Sequence, residues 1–149
     1  MTIKHQLYSH CQDFLNKRLQ VIQRTIIDIQ DALQSETKSS AGDKHETGRA
    51  MLQLEREKAG QQLAELQKLN ETLDKIELTT MHHKIGLGSL VNTSHLNYFI
   101  AISAGKILLE GTTYYAISAG TPIAQLLRSK QVGDCIQFRG SKFTITEIH

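Results

Sequence analysis

Tryptophan is absent, proline occurs once, at Pro122, and aromatic residues make up only 5% of the 149-residue chain. The apolar fraction, 40%, is below the usual range, which argues against one large globular core and suits a chain with a thin, elongated part. No run of eighteen apolar residues exists, which excludes a membrane-spanning helix. The N-terminal stretch MTIKHQLYSHCQDFL is mixed polar and lacks the apolar segment of a signal peptide, so a cytoplasmic protein is expected. An excess of one charge is missing too. Seventeen basic residues stand against fifteen acidic ones, too even a balance for a general nucleic-acid binder. The two cysteines, Cys11 and Cys135, lie far apart, each inside an apolar pattern, and both are expected to be reduced and buried, not joined in a disulfide. No P-loop, Rossmann glycine pattern, zinc ligand set or Ser/His/Asp order is present.

The chain has two halves. Three of the ten glycines, Gly42, Gly48 and Gly60, fall before residue 86, so the first half is nearly free of breakers and the second is rich in them. Residues from about 3 to 35 carry apolar side chains at Leu15, Leu19, Ile22, Ile26, Ile29 and Leu33, alternating steps of four and three, which is a heptad seam. Tyr8 and Cys11 extend it toward the N-terminus. A helix of that span is a rod on the order of 48 Å, and it needs a partner along its length. Residues from about 44 to 77 supply one, with Leu52, Ala59, Leu66 and Leu73 at steps of seven and Met51, Leu63, Leu69 and Ile76 widening the stripe. The polar stretch SETKSSAGDK between them predicts a turn, so residues 1–80 are expected to form an antiparallel coiled-coil hairpin with its tip near 40–47.

From Ile85 the period changes. NYFIAIS, KILLEG, TTYYAIS, CIQFRG and KFTITEIH are short β-branched or aromatic runs bounded by glycine or polar turns. TPIAQLLRSK interrupts them with a short helix, Thr121 suiting the N-cap and Pro122 the first turn. Residues 81–149 are therefore expected to form a small, mostly antiparallel β domain with a short helix, and the fold class is α+β.

Three stretches resemble a known family, the bacterial Gre transcript-cleavage factors. AGDKHETGRAMLQLEREK is similar to the tip of their helical hairpin, with Gly42, Asp43 and Glu46 matching its Gly-Asp-x-x-Glu. YYAISAGTPIAQLLRSKQVGDCIQF is similar to their C-terminal pattern through Ile117-Ser118, Thr121-Pro122-Ile123-Ala124, Leu127, Lys130 and Gly133-Asp134, and IGLGSLVNT to their first C-terminal strand. The resemblance covers nearly the whole chain in order. It implies a coiled coil joined to an FKBP-like domain and an accessory factor, not an enzyme, acting on bacterial RNA polymerase; since the hairpin would bury its seam on itself, a monomer is the simplest expectation. The globular part would bind the rim of the polymerase's secondary channel, with Gly120, Thr121 and Pro122 in the rim-facing loop. The coiled coil would carry Asp43 and Glu46 to the active centre, where their carboxylates help hold a second Mg²⁺ and position a water while the polymerase cuts backtracked RNA. Lys38, Lys44 and Arg49 would lie close to RNA.

That chemistry is reasonable for these residues. Mg²⁺ takes oxygen ligands and keeps several waters, and two-metal phosphodiester cleavage needs anionic oxygens to retain the weaker ion. Two solvated carboxylates bind Mg²⁺ poorly alone, so no cofactor and no metal of its own are expected in the isolated protein. Plainer readings stand beside these. Asp43 and Glu46 have the spacing of a capping box, the basic residues form a solvated rim, and Gly120-Thr121-Pro122 is a turn with a helix cap. His45 is an exposed bystander, and His82-His83 are adjacent on a linker and do not converge on a metal. After Glu46 the chain reads Thr47-Gly48-Arg49, with Arg49 where family members carry a further acid. Three functions thus remain open: a cleavage stimulator, a secondary-channel modulator or inhibitor without cleavage, and a coiled-coil adaptor unrelated to polymerase.

Overall fold

The computed structural model describes residues 2–38 and 42–149, with side chains described for residues 2–36 and 46–149. Two helices come first, α1 (Ile3–Lys38) and α2 (Gly42–Asp74). They are followed by β1 (Leu90–Thr93), β2 (Asn97–Ala101), β3 (Gly105–Leu109), β4 (Thr112–Ser118), α3 (Pro122–Leu127), β5 (Cys135–Phe138) and β6 (Ser141–Ile148). The architecture is α+β, a helical hairpin and a six-stranded sheet with one short helix. By compactness the chain divides into residues Leu15–Asn70 and a second unit made of Met1–Phe14 with Glu71–His149.

In the first unit the heptad seam closes as its spacing demands. Ile22, Ile26, Ile29 and Ala59 are buried together, and Leu33, Leu52, Leu63 and Leu66 pack against them. Ala59 is the small member, and its lack of bulk lets the isoleucines of α1 approach α2. The helices run antiparallel: Glu36 lies over Gly48 at one end, and residues 17–22 share a groove with residues 62–69 at the other. The connection between them is shorter than its composition suggests. Helical backbone runs through Lys38 and resumes at Gly42, so most of the expected ten-residue turn is helix. Polar residues cost only tenths of a kcal/mol relative to alanine in a helix, while each residue added to an existing helix gains a backbone hydrogen bond. Met51 departs from expectation as well. It is 59% exposed, because the stripe runs through Leu52 and a neighbour one residue away points about 100° round the helix.

In the second unit the strand order is β3-β4-β2-β1-β6-β5. Four pairings are antiparallel, but β2 and β4 are parallel, in register from Asn97↔Tyr114 to Ala101↔Ser118. The sheet is thus mixed, mostly antiparallel as expected, with one parallel pairing that the sequence did not indicate. The hairpin of β3 and β4 places β4, not β3, beside β2. Strand β2 is buried on both faces. Tyr98 and Ile100 join the core under α3, with Val91, Ile123, Leu127, Ile136, Phe143 and Ile145. Phe99 and Ala101 are buried on the other face; just past them the Ile102 backbone meets Cys11 of α1, and Leu7, Cys11, Leu73 and Ile76 are buried in the same unit. Tyr8 ties these two helices, its hydroxyl donating to the Leu73 carbonyl at 2.9 Å. Gly88 sits where the chain passes Ile76 closely. Its φ of 87° favours glycine, and a Cβ there would lie 3.0 Å from an Ile76 methyl, which would have to give way.

Both cysteines are free, but they differ. Cys11 is fully buried, and burial pushes its thiol up to about 11. Cys135 is exposed, at the start of the edge strand β5, which corrects the expectation that it is buried. The alternating apolar pattern there is real, but it places Ile136, not Cys135, on the core face. At pH 8 only about one Cys11 in a thousand is thiolate. A thiol reagent such as DTNB should therefore label one cysteine per folded chain quickly and the second only on unfolding. Rapid labelling of both in the native protein would contradict this packing.

Candidate functional site

Two places on the chain collect the residues singled out by the sequence. The first is the start of α2. The helix opens at Gly42, so the Asp43 backbone lies inside its first turn and not ahead of it, and Glu46 follows about one turn later. The side chains of Lys38, Asp43, Lys44 and His45 lie outside the described ones. Glu46 is exposed, and among the described residues no hydrogen bond or ion pair engages its carboxylate. Arg49 is exposed three residues on, on the same side of the helix. Gly48, between them, faces Glu36, whose carboxylate lies 3.5 Å from where a Cβ would be. Glu36 is thus a further acid at this end of the hairpin. Sequence reading passed over it because it falls in the stretch read as turn. Among the described residues no group of three or more His, Cys, Asp and Glu side chains could hold a metal ion, and His82 and His83 gain no third ligand. His82 is half-buried, and burial together with the Lys4 ammonium lowers its pKa.

The second place is the start of α3. Thr121 holds extended backbone (φ −68°, ψ 152°) and caps the helix, its hydroxyl accepting from the Ala124 N–H at 3.4 Å and donating to the Ser118 carbonyl at 2.9 Å. Pro122 occupies the first turn, where its missing N–H costs nothing. Ile123, Ala124 and Leu127 anchor the helix in the core. The Gln125 side-chain amide donates to the Gly120 carbonyl at 3.1 Å. Gly120 and Pro122 are exposed, and Thr121 is half-buried. A Cβ at Gly120 would meet nothing within 4 Å, and its φ is ordinary, so the fold does not demand glycine there. The result is a corner exposed at Gly120 and Pro122 and held from behind by the Thr121 cap and the α3 core.

No protein-family model and no curated protein matches the chain. Among solved structures it is similar to that of the transcription factor Gfh1, at 21% identity over 91% of this chain and 90% of the other, with a TM-score of 0.35. No described helix is long and apolar enough to cross a membrane.

The Thr121 cap gives a test that separates structure from contact. Thr121→Ala should cost about 1 kcal/mol, seen as a fall in Tm, and Thr121→Ser should restore it. Gly120→Ala should leave Tm unchanged. A large loss of Tm from Gly120→Ala would mean the corner is packed more tightly than its geometry indicates.

Proposed function

We propose that this protein is a Gre-type transcription factor that acts on RNA polymerase, with the start of α2 as its working end and the Gly120-Thr121-Pro122 corner as part of its docking surface. The observation that carries the reading is the exposed Glu46 carboxylate, unengaged among the described residues, about one turn after Asp43 at the opening of an antiparallel hairpin helix. Residues 15–38 alone span about 36 Å, long enough to carry that end into a deep channel. The β unit, FKBP-like in this reading, supplies the grip on the polymerase surface. The factor is a cytoplasmic monomer, since the polymerase works in the cytoplasm and the hairpin buries its seam on itself.

Asp43 and Glu46 offer hard anionic oxygens, the donor type that suits Mg²⁺. Two such groups are too few to hold the ion alone, so they work only beside the polymerase's own carboxylates. Mg²⁺ there supplies charge neutralisation at the scissile phosphate and an activated water. The chain's part is to bring the two carboxylates to that point. Lys38, Lys44 and Arg49 would contact RNA phosphates. The polymerase cuts the RNA, and the factor is not itself an enzyme. A second reading, a secondary-channel modulator that does not stimulate cleavage, is favoured by one observation: exposed Arg49 puts a cation one turn from Glu46.

The test uses a stalled, backtracked complex of the cognate polymerase. The protein should bind it and shorten the transcript. Asp43→Asn with Glu46→Gln should slow shortening roughly a hundredfold or more while binding persists. Gly120→Arg should weaken binding without lowering Tm. Binding without shortening establishes the modulator instead. Absence of binding rejects both readings and leaves a coiled-coil adaptor.

A further inference from the structure

The unit that holds the sheet also carries a half-open cavity of about 450 Å³ that the polymerase reading does not use. That volume is in the range of small-molecule sites. Its walls are largely apolar: Ile3 from α1, Leu78 and Met81 from the segment after α2, and buried Leu90 and Tyr114 from the sheet. Lys4 lines the same space.

Lys4 is unusual. It is only 6% exposed, and it is the one charged residue in the buried set among the described residues. Its ammonium has three donors. One reaches the Thr80 carbonyl at 3.3 Å, and among the described residues the other two have no protein partner and no carboxylate lies within ion-pair distance. A buried cation left without an anion is costly to the fold, and burial accordingly lowers its pKa. The other charged lining residue, Glu147, is different. Its side chain is 60% exposed, and its Oε2 accepts from the Asn92 amide at 3.2 Å and meets His149 Nε2 at 3.1 Å. Glu147 is therefore an engaged carboxylate at the rim, not the missing partner of Lys4.

A buried lysine with no carboxylate partner among the described residues, beside a mainly apolar cavity, matches a guest with the inverse pattern. We propose that this cavity binds a small amphipathic monocarboxylate, a single carboxylate on a medium-chain or single-ring apolar body, with Lys4 pairing the carboxylate and Ile3, Leu78, Leu90 and Tyr114 holding the body. One cation cannot neutralise a dianion, and the Glu147 carboxylate in the lining repels a second negative charge, so phosphate esters are disfavoured. The site stands independently of any contact with polymerase.

The probe is octanoate added to the full chain, with 1-octanol and acetate as controls, read by calorimetry and by amide shifts in NMR spectra. Octanoate should bind at least tenfold more tightly than octanol, acetate should not bind, and the shifts should centre on Leu90 and Tyr114. Lys4→Met should abolish the preference for octanoate over octanol while keeping octanol affinity, and Lys4→Arg should retain the preference. Lys4→Met should also melt at or above the wild-type temperature, because it removes an uncompensated buried charge, which shows that the variant folds. Ile3→Trp, filling the cavity from the half-exposed first turn of α1, should abolish binding of both. Equal affinity for octanoate and octanol, no binding, unchanged octanoate binding by Lys4→Met, or shifts mapping elsewhere would each overturn the proposal.

Discussion

The sheet has two apolar faces and only one short helix of its own to cover them. Strand β2 forces the issue, since Tyr98 and Ile100 are buried on one side while Phe99 and Ala101 are buried on the other. Helix α3 covers the first face through Ile123, Ala124 and Leu127. The second face requires another apolar layer, and the opening turns of α1, the closing turn of α2 and the residues just after it supply it through Leu7, Cys11, Leu73 and Ile76. A sheet this small cannot leave one apolar face in water and remain stable. The N-terminal turns of the chain are therefore part of the β unit's core although they lie nearly eighty residues from its first strand.

The same constraint explains Lys4. The start of α1 must lie against the sheet to cover it, and a residue one turn before Leu7 is carried into the interior with it. Leucine or methionine at this position would remove the buried charge, yet the chain has a lysine whose ammonium makes, among the described residues, a single long hydrogen bond to a carbonyl. Position alone accounts for the burial of residue 4. It does not account for the charge, and that leaves the adjoining cavity as the feature that gives the ammonium a purpose.

Much of the fold was legible because period and burial are coupled. Steps of four and three from Leu15 to Leu33 gave the hairpin, and the short β-branched runs gave the strands, since side-chain direction follows directly from backbone repeat. The Thr121-Pro122 helix start was legible for a different reason, namely that capping chemistry is local. What was not legible depends on contacts far apart in sequence. The parallel pairing of β2 with β4 follows from which strand of a hairpin lies inward, and periodicity is silent on that. Cys135 was misread because alternation gives two faces without saying which is inside. The extent of helix on either side of residues 39–41 was underestimated because polar composition resembles a turn until a packed partner helix stabilises the alternative. Lys4 carried no sequence signal at all. A lysine near the start of an amphipathic helix is ordinary until the sheet is folded against it.

At the proposed working end, the balance between cleavage and modulation comes down to the dielectric around Glu46 and Arg49. The two residues are separated by less than one helical turn, with Cβ atoms about 5–6 Å apart, and both are exposed. In water two such charges interact by well under 1 kcal/mol, so in the free protein Arg49 scarcely changes what the carboxylate can attract. Within a narrow protein channel the effective dielectric constant is nearer 20, and the same pair interacts by about 3 kcal/mol. That is enough to compete with a weakly held divalent ion. If Arg49 turns instead toward RNA phosphate in that setting, the carboxylate is released to face the metal. On the proposed function, the direction Arg49 took inside the polymerase would decide between the two readings, with the nucleic acid beside it supplying the competing charge.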